Sequence, residues 1–357
     1  MPKGVPEPVH VLSGWEGSVS FVTFRYLNEE QILLVGSDKG ALTIFDPRTN
    51  RPKAAINLNG QILSAGTWED VVWIAVRGVA VMLYDGFLRN CLGSFLLEDT
   101  GFCKPIFIYP DMLTVPLESK NSNEFLAIYK LEKTQLEISC SNTFENPKTT
   151  NEQSSEKAAK VSAKISNKLS NTAENTGMVM CMLHVSNEID ILNQPDRPDC
   201  MLVGFENGSV AVFNTKSWTQ LTYTNLHKDP VFAMDFCSTR GGTLVSGSAQ
   251  GSVKTHRLSL DTGELSEERF APLAAQSGAV TCASFRYDGA VLACGCADGK
   301  ARLFSAKSLK LLAILEFHAD EKIESLAFSN RPVGTDSKYL LALGSRDGRV
   351  SLWDLYN

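Results

Sequence analysis

The sequence predicts an all-β fold: a ring of seven four-stranded blades, closed where its two ends meet. Three observations predict it. Five times a short apolar run stops at a Gly, crosses three residues to a second Gly, and enters a new apolar run. The copies run from Gly36 to Gly40, Gly204 to Gly208, Gly247 to Gly251, Gly295 to Gly299 and Gly344 to Gly348. The last three begin 43, 48 and 49 residues after the copy before, a period that marks stacked repeats. The residues that follow the turns, as in Ala41 to Asp46, Ser209 to Asn214 and Arg349 to Asp354, alternate apolar and polar and end on an aromatic and a turn former. That is strand, tight turn, strand, with Gly and Asp or Asn supplying the left-handed positions of the turn.

The elements follow in order. Gly14 and Trp15 precede Val19, Val22 and Phe24, which open the first blade ahead of the turn at Gly36. The 168 residues from Gly36 to Gly204 exceed one repeat and hold two worn blades. One covers Ile62 to Phe95, with central strands Val71–Val76 and Val79–Asp85 and a turn near Arg77. The next covers Phe102 to Ile138, with strands Met112–Val115 and Phe125–Tyr129 and a turn near Glu118. Residues 141–177 change character: rich in Ser, Asn, Thr and Lys and poor in aromatics, they read as a flexible insertion between blades three and four. Within them, Ala158, Val161, Ile165 and Leu169 fit one face of a transient helix over Glu156–Leu169. Four blades with turns at Gly204, Gly247, Gly295 and Gly344 complete the ring. The strand ending the chain at Trp353–Tyr356 needs an outer neighbour, and Pro8–Leu12 can supply it, which removes the exposed edges.

His227 precedes Val231 and Phe236, and His318 precedes Ile323 and Phe328, at the spacing of Trp15, Val19 and Phe24. With the Gly-Ser-x-Asp turn and the Trp353-Asp354 exit, these repeats resemble WD repeats, so the ring is a seven-bladed WD-repeat β-propeller. His318, Ser345, Asp347 and Trp353 occupy the four positions that form a buried hydrogen-bonded chain in such repeats. Elsewhere the set is degraded. The His position holds Trp15 or Gln276, the Trp position Phe45, Phe213, His256 or Phe304, and the Ser position Cys296. A His, Ser and Asp in one blade are read as this structural chain and not as a catalytic triad.

Hydrophobic residues make up 43% of 357, enough for a sizeable core. A formal net charge of −6 argues against a nucleic-acid-binding body. No apolar run reaches membrane-spanning length, and Met1-Pro2-Lys3-Gly4 does not open a signal peptide. Nine scattered cysteines read as reduced, buried thiols of a nuclear and cytoplasmic protein. The five His lack metal-ligand spacing, no carboxylate pair or nucleophile elbow stands out, and no cofactor or metal is expected. The run from Gly295 to Ala301 is not a phosphate loop, because Ala follows Lys300 and a strand comes next. An enzyme is therefore not expected.

Binding is expected on the face built from the turn after each second strand and the loop leading into each blade. Its residues include Trp15, Glu16, Lys39, Glu206, Asn207, His227, Gln250, Asp298 and Arg346, with Trp15 as the favoured anchor.

Five segments carry a more specific resemblance: Phe102-Cys103, Gly177 to Cys181, Met201 to Val210, His227 to Val231 and Ser351 to Tyr356. Together they resemble the guanine nucleotide-binding protein beta-subunit-like protein 1 family, whose fungal relatives are the ASTRA-associated WD-repeat proteins. That resemblance implies a non-enzymatic adaptor. It implies work with the triple-T co-chaperone complex in maturing and stabilising phosphatidylinositol-3-kinase-related kinases, and so a part in DNA-damage signalling and telomere maintenance. The expected partners are co-chaperone subunits and those large kinases, bound by a monomer within a larger complex, without nucleic acid or membrane. A true G-protein β subunit is set aside, since a first strand near Val9 leaves no heptads for a γ subunit. The alternative is a substrate receptor of a cullin-type ubiquitin ligase, whose Trp-Asp-x-Arg exit is similar to Phe45-Asp46-Pro47-Arg48.

Overall fold

A computed structural model describes residues 6–97, 101, 103–108, 110–117, 124–136, 158–170, 176–185, 199–334 and 338–355. Among the described residues the strands form seven four-stranded antiparallel sheets. In chain order the blades span 19–57, 62–96, 106–170, 179–225, 231–272, 280–316 and 323–354. The seventh takes its outer strand from His10–Leu12, which pairs with Val350–Asp354 as expected: His10 lies opposite Leu352 and Leu12 opposite Val350. The turns expected near Glu118 and the residues Phe102, Ile138 and Tyr356 lie outside the described residues.

The core is not one central mass. Seven apolar clusters sit at the seven seams between neighbouring blades. A blade buries both faces, and for that reason its middle strands read as near-continuous apolar runs. Leu340–Ser345 is buried at every position, as are Val71–Val76 and Val291–Cys296.

The Gly-x-x-x-Gly spacing has two causes, where the sequence suggested one. The second Gly of each pair takes a positive φ, from 67° at Gly251 to 94° at Gly40, as a hairpin turn requires. The first does not. A Cβ on Gly247 would lie 2.5 Å from Val280 Cγ1, one on Gly295 2.7 Å from Ile323 Cγ2, and one on Gly344 2.6 Å from Val19 Cγ1. In each case the β-branched residue that opens the next blade's inner strand is an obstacle, joined at Gly295 by the blade's own Cys282 Sγ at 2.6 Å. The first Gly thus sets the blade-to-blade distance, and its partner is the Val or Ile that follows the His position, held here by Gln276, His318 and Trp15. The last of these contacts, Gly344 on Val19, closes the ring.

Small polar side chains at the start of the inner strands stitch the blades around the axis. Ser20 Oγ donates to Ile62 O at 2.6 Å, Ser64 Oγ to Pro105 O at 2.8 Å, and Cys181 Sγ to Val231 O at 3.0 Å. Ser325 Oγ donates to Val22 O at 3.3 Å across the closing seam and accepts from Val22 N at 3.1 Å. Asp235 Oδ2 accepts from Phe285 N at 2.6 Å, joining blades five and six.

The third blade corrects the reading of 141–177 at residues 158–170; residues 141–157 and 171–175 lie outside the described residues. Ala158–Ser170 is a strand, not a loop or a helix, and it is the blade's outer strand, paired along Glu124–Leu136 from Glu124↔Ser170 to Leu136↔Ala158. The apolar spacing that suggested a helical face is overridden by the ladder: the third strand's free edge must be paired, and this segment pairs it. Both strands are 13 residues long, whereas the second strand, Met112–Pro116, reaches only Lys130. Beyond Lys130 the pair continues as a two-stranded ribbon past the body of the blade.

Candidate partner-binding face

In the five blades with a Gly-x-x-x-Gly turn, the turn after the second strand meets the loop leading into the same blade. Asp38 N donates to Ser18 O at 3.0 Å, Glu206 N to Met178 O at 3.0 Å, Ala249 N to Pro230 O at 3.0 Å, Ala297 N to Ala279 O at 3.0 Å, and Arg346 N to Lys322 O at 2.9 Å. These pairings hold each of the five turns against the loop that enters its own blade.

The candidate residues differ in what they have to offer. Glu16, Lys39, Gln250 and Arg346 are exposed. Gly17, next to Glu16, abuts Asp38 and Lys39 on one side and Gly348 of blade seven on the other. Glu206 and Asn207 are exposed but also hold their turn. Glu206 Oε2 accepts from Met178 N at 3.1 Å, and Asn207 Oδ1 accepts from Ser209 N at 3.0 Å. Trp15 is half-buried, packed edge-on against Phe45 at 6.1 Å, with its Nε1 buried and unpartnered among the described residues. Asp298 is committed to its own blade by a bidentate pair with Arg302, at 3.0 and 2.6 Å, where both side chains are largely buried. Arg48, the last residue of the Phe-Asp-x-Arg exit, folds back on Asp46 at 3.2 Å.

His227 is corrected from a surface candidate to a buried one. It is 8% exposed and both ring nitrogens are used: Nδ1 meets Ser252 Oγ at 3.0 Å and Nε2 meets Ser246 Oγ at 2.8 Å. Ser246 Oγ also meets His256 Nε2 at 3.0 Å, and Ser252 Oγ meets Ser248 Oγ at 2.7 Å. Blade five therefore has a His–Ser–His chain in place of the His–Ser–Asp–Trp set. Sequence reading missed it because His256 in the Trp position looked like decay. Its signal was the run of alternate hydroxyls at Ser246, Ser248 and Ser252. Burial pushes both imidazoles down to about 4, helped at His227 by the neighbouring Lys254 charge.

In blade seven the chain exists, but with a different hydroxyl. His318 Nδ1 meets Asp347 Oδ2 at 2.8 Å, His318 Nε2 meets Ser351 Oγ at 2.8 Å, and Trp353 Nε1 donates to Ser351 Oγ at 2.8 Å. Ser345, expected in that place, instead donates to Glu321 O at 3.0 Å. The reason is strand geometry. Ser351 lies two residues before Trp353 and so shares its face of the strand, while Ser345 ends the second strand and faces the loop. Burial lowers the His318 pKa, and the Asp347 carboxylate partly offsets this.

Two thiols of the first strands are protonated: burial pushes Cys181 up to about 12 and Cys282 up to about 11. Of the described cysteines, Cys91 alone is exposed.

Against known proteins, a family model described as "Anaphase-promoting complex subunit 4 WD40 domain" matches residues 243–331, and one described as "WD domain, G-beta repeat" matches 309–354. The chain is 25% identical to the mouse (Mus musculus) "Guanine nucleotide-binding protein subunit beta-like protein 1", over 98% of this chain and 97% of that one. It is 29% identical to "ASTRA-associated protein 1" of Schizosaccharomyces japonicus and 28% identical to that of Schizosaccharomyces pombe, each over 44% of both chains. The family resemblance drawn from the motifs holds: relatives under both of its names match this chain.

Proposed function

We propose, for a WD-repeat propeller related to the beta-like protein 1 and ASTRA-associated proteins, a non-enzymatic adaptor that joins proteins within a larger assembly. The observation that carries this reading is the match to the mouse relative along essentially the whole of both chains. It is supported by a ring whose buried His, Ser and Asp groups are spent on hydrogen bonds within blades five and seven. The finer reading is that the adaptor works with a triple-T co-chaperone machinery. It serves the maturation and stability of phosphatidylinositol-3-kinase-related kinases, and through them DNA-damage signalling and telomere maintenance, in nucleus and cytoplasm.

The test is depletion in cells with parallel measurement of kinase protein and message, together with proximity labelling by the full chain. The expected result is a fall in kinase protein at constant message, with co-chaperone subunits among the labelled proteins. Steady kinase levels, with a cullin ligase labelled instead, overturn it in favour of a ligase substrate receptor.

A further inference from the structure

Blade six departs from its neighbours at the place where blades five and seven bury a histidine. His227 and His318 are 8% and 1% exposed, whereas Gln276, in the same position, points into solvent as an exposed residue. Arg302 stands where blade seven has Ser351, two residues before the aromatic of the third strand, and is buried in its bidentate pair with Asp298. No imidazole fills the gap, and a groove of about 500 Å³ opens between blades five and six. One wall is Pro272 and Leu273, where the chain leaves blade five; the other is Phe304, Leu309, Leu311 and Ile314 of blade six. The charges along it cancel among themselves, Arg302 with Asp298 at 2.6 Å and Lys300 with Glu316 at 2.8 Å, and leave the walls apolar.

The strand that borders this groove is unguarded. Outer strands are commonly protected from foreign partners by charge or proline. Blade one's carries Arg51, Pro52 and Lys53, and blade five's carries Glu267, Glu268, Arg269 and Pro272. Blade six's, Leu311–Glu316, reads Leu-Leu-Ala-Ile-Leu-Glu, and Leu311 and Leu312 are 45% and 43% exposed. Large apolar side chains gathered on the rim of an apolar groove mark a surface that a partner covers. The two ends of the groove differ in charge. Exposed Lys307 and Lys310 flank Leu309 at the end where Phe304 lies opposite Leu311, and exposed Asp320 lines the end where Lys300 lies opposite Glu316. None of Lys307, Lys310 and Asp320 is held in an ion pair among the described residues.

We propose that this groove docks an extended segment of a partner protein. Its apolar side chains fill the trough along Leu311–Glu316, a basic residue at one end meets Asp320, and an acidic residue at the other meets Lys307 and Lys310. The occupant follows from the groove: an apolar trough about 20 Å long, the length of six strand residues, with opposite free charges at its ends. Pockets along a strand that receive the side chains of an extended peptide are a recurring mode of recognition. The inference goes beyond the adaptor reading, since it concerns the side of the ring and stands or falls whatever assembly the adaptor serves.

The test selects a phage-displayed random peptide library on the full chain, then titrates the enriched peptides, labelled with fluorescein, by fluorescence anisotropy. The expected peptides carry spaced apolar residues with a basic residue at one end and an acidic residue at the other. Leu311→Ser, at a half-exposed position that the fold tolerates, should weaken their binding about tenfold. Selection on Asp320→Lys should turn the basic end of the consensus acidic. Phe87→Ala, which removes a 64% exposed aromatic from blade two, should leave binding unchanged. Failure to enrich any peptide, full-strength binding to Leu311→Ser, a consensus indifferent to Asp320→Lys, or an equal loss in Phe87→Ala overturns the proposal.

Discussion

Blade five should be the acid-sensitive part of the ring. His227 and His256 are buried, with pKa values pushed down to about 4. The groups facing them are Lys254, Glu267 and Glu268, and Glu267 is held by its own pair with Lys254 at 2.6 Å. His256 Nδ1 is buried without a partner among the described residues, so a proton added there has nothing to receive it. The sign follows from linkage. In the unfolded chain each His takes a proton below about 6.5, whereas in the fold it does so only near 4, so stability is lost as pH falls through that window. Between pH 7 and pH 5 the loss is about 2 kcal/mol for each imidazole, or about 4 kcal/mol together. Asp235 acts in the opposite sense. Its pKa is raised to about 6 by burial, so protonation on acidification returns about 1 kcal/mol. The net loss is about 3 kcal/mol, a large fraction of the stability of an ordinary domain. His256→Phe places in blade five the residue that blades one, four and six hold at the same position, Phe45, Phe213 and Phe304. Urea unfolding followed by tryptophan fluorescence at the two pH values reads the effect. The variant should lose about 2 kcal/mol less than the parent on acidification. An unchanged pH dependence in His256→Phe refutes the reasoning.

Other consequences are as direct. Gly247→Ala drives a methyl to 2.5 Å from Val280 Cγ1 and should cost about 1–3 kcal/mol, with Val280→Ala in the same chain recovering part of that cost; strictly additive losses in the double variant count against the blade-spacing role. Ser351→Ala strands both His318 Nε2 and Trp353 Nε1 and should lower the urea midpoint by more than Ser345→Ala, whose hydroxyl serves a loop carbonyl. Leu169→Asp, which places a carboxylate at a 6% exposed position opposite Leu126, should destabilise the whole ring by about 2–4 kcal/mol; a wild-type melting temperature would return 158–170 to the status of a dispensable loop.

Much of this architecture is legible in the chain because a propeller repeats local grammar. Period-two strands, glycine turns and a recurring Val or Ile are properties of short stretches, and they recur often enough to give the blade count and the closing partnership of His10–Leu12 with Val350–Asp354. The candidate face is legible for the same reason, since it consists of the turns themselves. What local grammar could not reach was partner choice. Ser351 and Ser345 are both hydroxyls near Trp353, and only the facing of the strands puts the first on His318. Residues Ala158 to Leu169 fit a helical face or a strand equally well, and only the unpaired edge of Glu124–Leu136 makes them a strand.

The sequence alone determined the ring: its strands, the positions of its turns, and the kind of family it resembles. Tertiary structure decided the uses. It turned the first Gly of each repeat from a turn residue into a spacer against the next blade, withdrew His227 from the surface into a hydrogen-bonded chain, and brought Pro272 of blade five and Ile314 of blade six to one groove. The physical reason is range. Turn and strand preferences act over a few residues, while close packing, burial of a charge and the convergence of side chains depend on neighbours as far apart in the chain as Val22 and Ser325, 303 residues.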